Sequence, residues 1–301
     1  MVCAANAPYA VPLVVLLHSA LASAEPRDRL HFHVIDGGLT AEQRSKIGSI
    51  CLRFETCAGV DWLAPNVARL AGLPARPGLP REVFLRLLMD EQLPGDLHRA
   101  LWLDADVVVE ASLAPLWNHP FDGNTIVAVQ DYGGPTLGST GGTAETCREL
   151  GLDPDAPYFN SGVMLVDLAR WRDARVTQEV LAYTRRFSKH VAFGDQDGLN
   201  SVLSGRWARA PLPWNVQVAA LRFLARRGLP ISSELRRDWA TLHTSPAIVH
   251  YAGDKPWASG LRSPFRARFF RQLRRSRYFS PVQLARYRVH ADLTALRAYF
   301  G

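Results

Sequence analysis

Two carboxylates one residue apart, Asp104 and Asp106, interrupt the apolar run Leu101-Trp102-Leu103-Asp104-Ala105-Asp106-Val107-Val108-Val109. A run this rich in Leu, Trp and Val reads as a buried central strand. Ionised carboxylates in such a strand need compensation. On a straight strand, residues two apart point to the same side, so the two acids would converge. If the strand ends there, both lie at a C-terminal strand edge, where open α/β sheets bind ligands. Either way the pair suits a hard divalent cation with oxygen ligands. A loop Asp followed by a capping Asp accounts for the same residues without a metal, and this stretch alone leaves both readings open.

Three further stretches carry chemistry. Asp195-Gln196-Asp197-Gly198-Leu199-Asn200 packs two acids and two amides into six residues, a density that fits either a ligand site or a helix N-terminus with capping acids. Tyr158-Phe159-Asn160-Ser161-Gly162 is a polar corner that opens onto the apolar run Val163-Met164-Leu165-Val166. Ile248-Val249-His250-Tyr251-Ala252-Gly253 ends another apolar run on a histidine, and Lys255 adds a cation to the same loop. A lone histidine in that position is more often structural than a ligand.

Positioning these groups requires a regular scaffold, and the chain supplies one. Val2-Cys3-Ala4-Ala5 reads as a strand, Asn6 to Tyr9 as a loop and Val11 to Ala22 as a mostly buried helix. Leu30 to Ile35 is a second strand, and Thr40 is a helix cap. A third strand falls within Cys51 to Asp61. The four prolines between 63 and 80 mark a loop, and Arg81 to Gln92 and Trp171 to His190 read as helices. The five glycines from Gly133 to Gly142 have no GK[ST] after them, which excludes a P-loop and leaves a loop beside a site or a plain surface loop. Strands alternating with helices predict a mostly parallel α/β sheet with right-handed crossovers.

Composition is that of a globular protein, 301 residues long, 48% hydrophobic and 21% charged, with net charge +7. The cysteines Cys3, Cys51, Cys57 and Cys147 form no CxxC pair, so neither a zinc ribbon nor a thioredoxin-like centre is expected. No Lys or Arg precedes the apolar run at Val11, which argues against a cleaved signal, and the run is too short to span a membrane. The expected compartment is cytoplasmic, with reduced thiols.

Taken in order, Asp104-Ala105-Asp106, then Phe159-Asn160-Ser161-Gly162-Val163, Asp195-Gln196-Asp197 and His250-Tyr251-Ala252-Gly253 with Lys255-Pro256-Trp257 resemble glycosyltransferase family 8. These are retaining nucleotide-sugar transferases that include glycogenin and bacterial lipopolysaccharide galactosyl- and glucosyltransferases. The resemblance covers residues 1 to about 260. It implies a GT-A fold, with a Rossmann-like mixed sheet and the donor at the strand ends, and a UDP-hexose donor with a glycan or glycolipid acceptor. It also implies a divalent metal, Mn2+ or Mg2+, held by Asp104, Asp106 and His250. Lys255 matches a diphosphate-contacting lysine, and Arg86 an arginine on the donor sugar. Asn160, Asp195 and Gln196 match groups on the sugar hydroxyls, Asp195 and Gln196 being the candidate catalytic residues near the anomeric carbon. Ala4, Ala5, Asn6 and Tyr9 match the uridine-binding strand and loop, and Ala105 and Gly253 complete the donor-binding set. The chain departs from the family pattern at Asn6-Ala7-Pro8, where acids or Asn are common, and in a one-residue shorter step from His250 to Lys255. A relative that binds nucleotide sugar or membrane without turnover is the alternative.

The expected domains are 1–260, the transferase, and 261–301, a basic helical extension. Between Leu261 and Ala291 lie nine Arg, among them Arg262, and no acid. Phe265, Phe269 and Leu273 share one helical face, with Phe270 nearby. A basic amphipathic helix of this kind predicts contact with an anionic membrane surface on the inner, cytoplasmic face. A helix packed on the domain with its arginines in solvent is the competing reading; nucleic acid is not an expected partner.

Overall fold

The computed structural model describes residues 1–300 apart from 77–78, 228–232, 254, 259–262 and 264. Arg262 and the expected boundary at 260/261 therefore lie outside the described residues. The strands are β1 (Val2–Ala5), β2 (Leu30–Asp36), β3 (Cys57–Leu63), β4 (Arg99–Leu103), β5 (Val107–Val109), β6 (Ile126–Gln130), β7 (Phe159–Asp167), β8 (Trp207–Arg209), β9 (Val216–Gln217) and β10 (Ile248–His250). A seven-stranded sheet runs in the order β3-β2-β1-β4-β7-β6-β8, and a three-stranded sheet runs β5-β10-β9. The large sheet is parallel except at β7, which pairs antiparallel with β4 and β6.

Both faces of the large sheet are covered, which is why its strands read as continuous apolar runs. Leu101 and Leu103 face the layer of α1 (Ala10–Ala22), while Ala100 and Trp102 face Phe84, Leu87 and Trp171 on the other side. Buried from Pro12 to Leu21, α1 is apolar all round because it lies between the sheet and the helix Arg266–Ser276. Ser19 on α1 accepts from Val109 N at 3.0 Å and so fastens the small sheet to the helix. The helix α2 (Ala41–Cys51) starts on a capping box in which Thr40 and Gln43 each satisfy the other's backbone N–H.

Three expectations need correction. The Asp104 run is not one strand: β4 ends at Leu103 and β5 begins at Val107 in the other sheet, so the two acids form the turn that joins the sheets. Arg81 to Gln92 is mainly a 3-10 helix over Arg81–Leu88, followed by a short α-helical turn. Trp171 to His190 is two helices, Leu168–Asp173 and Val176–Arg186, broken where Arg175 takes a left-handed conformation (φ 53°). The break lets Val176, Val180 and Leu181 turn into the core. The glycine-rich stretch is the expected loop beside a cleft, which Gly133 and Gly134 line, and it runs into the helix Gly141–Leu150.

A further difference concerns the C-terminal arm. Phe265, Phe269, Phe270 and Leu273 are buried in the main core beside α1, not turned outward. At roughly 2 kcal/mol for each buried side chain, undocking this face costs several kcal/mol. Arg268 and Arg271 both pair with Glu110, just beyond β5. The helix beyond the expected boundary thus belongs to the main core. Among the described residues no helix is long and apolar enough to cross a membrane.

Candidate active site

The turn between the sheets fixes both carboxylates. Asp104 N donates to Gly162 O (2.8 Å), the last rung of the large sheet, and Asp106 O accepts from Tyr251 N (3.0 Å) beside the small one. His250 ends β10 and brings Nε2 to 3.7 Å from Asp104 Oδ2 and 3.5 Å from Asp106 Oδ1. Cis ligands on a small divalent ion stand about 3 Å apart, so this triangle needs only slight closure. Two carboxylates and an imidazole suit manganese or magnesium chemistry. All three ligand atoms lie within 4.8 Å of one another.

A chain of hydrogen bonds sets the tautomer of His250. Asp131 Oδ2 accepts only, so the Asn160 side chain, 3.1 Å away, turns its NH2 toward it. Asn160 Oδ1 then accepts from Gly162 N (3.1 Å) and from Asn215 Nδ2 (2.9 Å). That leaves Asn215 Oδ1 facing His250 Nδ1 at 3.0 Å, so Nδ1 carries the proton and the Nε2 lone pair faces the carboxylates. Partners that orient a ligating imidazole in this way typically matter 10–100-fold in metal affinity. Asn215→Ala is therefore expected to weaken manganese binding by about that factor with the fold intact, measured by electron paramagnetic resonance of free Mn2+. Unchanged affinity would mean that Asn215 does not orient the ligand.

Arg86 is buried at the centre of the acidic cluster. Its Nη2 lies 3.0 Å from Asp104 Oδ1, its Nη1 donates to Ser161 O, and its guanidinium stacks over Trp102 at 5.3 Å. Its Nε lies 2.6 Å from Asp195 Oδ2, an ion-pair contact out of line for a hydrogen bond. Burial pushes the Asp195 carboxyl up to about 7 against the pull of Arg86, with Asp104 adding to the rise. A carboxyl raised from 3.8 is protonated in the folded chain and ionised in the unfolded one between those values. Its contribution to stability is present below 3.8 and is lost as pH rises through about 7. Thermal midpoints of the metal-free protein should fall across that window, and Asp195→Asn should flatten the fall. An equally steep fall in the variant would assign it to another group.

Lys255 forms a close ion pair with Asp106. Burial opposes ionisation of Asp106, but the Lys255 ammonium outweighs it and holds the carboxyl well below the usual range. Even with Asp195 left out, three carboxylates (Asp104, Asp106, Asp131) face two cations (Arg86, Lys255), an imbalance in the direction that a divalent cation would offset.

Every site residue expected from the sequence lines this region. Ala4, Ala5, Asn6, Tyr9, Arg86, Asp104, Ala105, Asp106 and Lys255 surround a recess of about 230 Å3. Asn160, Asp195, Gln196, His250 and Gly253 line an adjoining cleft of about 810 Å3 that shares Tyr9, Arg86 and both metal-side carboxylates. Gln196 spans the cleft wall: its Oε1 accepts from Ser161 N (3.0 Å) and its Nε2 donates to Asp131 (3.2 Å). The stretch Asp195 to Asn200 is both things the sequence allowed. It starts the helix Asp195–Val202, and Asp197 is its structural acid, accepting from the Phe193 and Ala192 N–H groups and from Tyr158. Sequence reasoning missed Asp131 and Asn215, and it singled out the stretch around Gly162 without giving the glycine a role. Asp131 follows the apolar strand β6, the same signal that marked Asp104. Nothing local marks Asn215.

Fold and site together define a glycosyltransferase of the GT-A type. The model for glycosyl transferase family 8 matches residues 1–260, and the chain belongs to that family. General stress protein A of Bacillus subtilis is 24% identical over 274 residues, which is 90% of this chain and 91% of that one. The lipopolysaccharide glucosyltransferase WaaO of Escherichia coli K12 is 24% identical, covering 76% of this chain and 64% of its own length. The crystal structure of the galactosyltransferase LgtC with donor and acceptor sugar analogs superposes with a TM-score of 0.78 at 26% identity, covering 95% of this chain and 99% of that one.

Proposed function

We propose that the chain transfers a hexose, galactose or glucose, from a UDP-sugar to a hydroxyl of a glycan or glycolipid, with retention at the anomeric carbon. The observation that carries this reading is the convergence of Asp104, Asp106 and His250 Nε2 beside Lys255 and Arg86, at the strand ends and within one cleft. Asp104, Asp106 and His250 would hold Mn2+ or Mg2+, which when bound supplies positive charge to the departing diphosphate. Ala4, Ala5 and Asn6 form the wall for the uridine, with Tyr9 stacked on the base. Lys255 turns from Asp106 to the diphosphate, adding a cation where negative charge develops. Arg86, Asn160 and Asp195 hold the sugar hydroxyls, and Gln196 flanks the anomeric carbon. Asp195 is held against Arg86, and the Gln196 amide oxygen is engaged by Ser161, so neither is poised as a nucleophile. That favours a front-face route in which the leaving phosphate oxygen takes the acceptor's proton.

The test is UDP release from a panel of UDP-sugars with manganese and with EDTA. One donor should turn over slowly and lose that turnover in EDTA. If no donor turns over and calorimetry finds no binding of UDP with manganese, the non-catalytic alternative stands.

We further propose that the protein works at the cytoplasmic face of an anionic membrane, on an acceptor akin to those of its lipopolysaccharide relatives. The buried aromatic face of Arg266–Ser276 cannot serve this contact, but Arg274, Arg275, Arg277 and Arg286 are exposed. Beside them the helix Pro281–Phe300 exposes Val282 (62%) and Val289 (57%). Each arginine near an anionic surface contributes about 1 kcal/mol. The triple variant Arg274→Glu, Arg275→Glu, Arg277→Glu should no longer co-sediment with phosphatidylglycerol vesicles. Co-sedimentation equal to the unaltered protein would remove this reading.

A further inference from the structure

A second cluster of ligand-type side chains lies at the other end of the large sheet, and the transferase reading does not use it. His31 and His33 are two apart on β2, and Asp61 is the register partner of His33 on the adjacent edge strand β3. Period two and parallel pairing put all three on one face. The His31 and His33 rings stack at 4.7 Å. Asp61 Oδ2 lies 2.8 Å from His31 Nε2 and 3.1 Å from His33 Nδ1. All three ligand atoms fall within 4.8 Å of one another.

Two observations single this cluster out from an ordinary surface ion pair. His33 is nine-tenths buried, yet its Nδ1 has no hydrogen-bond partner, because the nearby carboxylate oxygen is out of line. A buried ring nitrogen left this way is costly unless something else engages it. The second observation is Gly59, paired with His31 across the strands. A Cβ there would stand 3.1 Å from His31 Cε1, so the glycine leaves the imidazole its place over β3. Among the described residues no Lys or Arg pairs with Asp61, and the two imidazoles are the side chains that face its carboxylate.

We infer that His31, His33 and Asp61 form a second divalent-metal site, of the zinc class, that ties the edge strand β3 to β2. Two imidazoles and one carboxylate are a borderline-soft donor set that prefers zinc to manganese, in contrast to the two carboxylates and single imidazole at Asp104. His31 and Asp61 are half-exposed, which gives an ion an entry path and leaves room for water as a fourth ligand. The site needs no substrate and stands whether or not the proposed sugar transfer is correct.

The test is equilibrium dialysis of tag-free protein against zinc, carried out on the Asp106→Asn variant so that the active-site ligand set is broken. That variant should retain one zinc equivalent, bound at least about tenfold more tightly than manganese. Adding His31→Ala or Asp61→Ala, both at exposed positions, should abolish it with an unchanged circular dichroism spectrum. Adding His33→Ala should do the same, and the two exposed variants guard against a folding defect at that buried position. Zinc should raise the melting temperature of Asp106→Asn but not of its His31→Ala derivative. Absence of bound zinc in Asp106→Asn, or retention of it after both His31→Ala and Asp61→Ala, would overturn the inference.

Discussion

Replacing Asp106 with Asn is expected to lower kcat at least about 10³-fold, equivalent to roughly 4 kcal/mol of transition-state stabilisation. The amide keeps the shape of the side chain and removes its charge. Asp106 is 7% exposed and touches both Lys255 and His250, so little solvent is present to replace the lost charge. Two effects add. A divalent ion loses one of two anionic ligands, and Lys255 loses the partner that holds it at the mouth of the recess. The two separate experimentally: saturating manganese restores whatever part of the loss comes from metal affinity, and the remainder is charge placement. Steady-state turnover of the preferred UDP-sugar, with Mn2+ titrated beside it, reads both. Turnover within tenfold of the unaltered protein at ordinary manganese would mean that the reaction does not run through this carboxylate.

The second large effect is expected at a residue with no side chain. A Cβ added at Gly162 would lie 2.2 Å from His250 Cε1, 2.7 Å from Nδ1 and 2.9 Å from Nε2. Neither party can move aside cheaply. Gly162 is fixed by its N–H on Asn160 Oδ1 and by its carbonyl under Asp104 N. His250 is buried and anchored on Asn215. Gly162→Ala therefore displaces the imidazole from the carboxylates. Activity should drop at least about 100-fold, and overpacking should cost about 1–3 kcal/mol of stability. Activity assays and thermal melts of the metal-free variant check this. A variant with normal manganese affinity would show that the imidazole is not a required ligand.

Much of this site could be read before any coordinates, for a definite reason. Strand ends place their last residues at one sheet edge, so acids that interrupt an apolar run, as Asp104 and Asp106 do, mark a candidate site, and the order of the later motifs decided between its readings. Arg86 was legible only through family resemblance, because its 3-10 segment has no helical period to orient it. Asn215 was not legible at all: its role depends on β9 passing beside β10, a pairing between segments with no local signal. The C-terminal arm was left between two readings for a related reason. Phe265, Phe269 and Leu273 form a correct apolar stripe, but a stripe specifies that something covers it, not what. Here the cover is α1, whose own lack of a polar face was the matching half of the clue.

That pairing of α1 with the helix Arg266–Ser276 bears on how the chain is made. A nascent chain carries α1 long before the segment that shields its outer side, and β5 likewise waits for β10. Throughout elongation an apolar helix and an unpaired strand edge stand open, the kind of exposed surface that nascent polypeptides hand to holding chaperones. A stop codon or proteolytic cut anywhere before Arg266 would then yield not a shortened enzyme but an insoluble one.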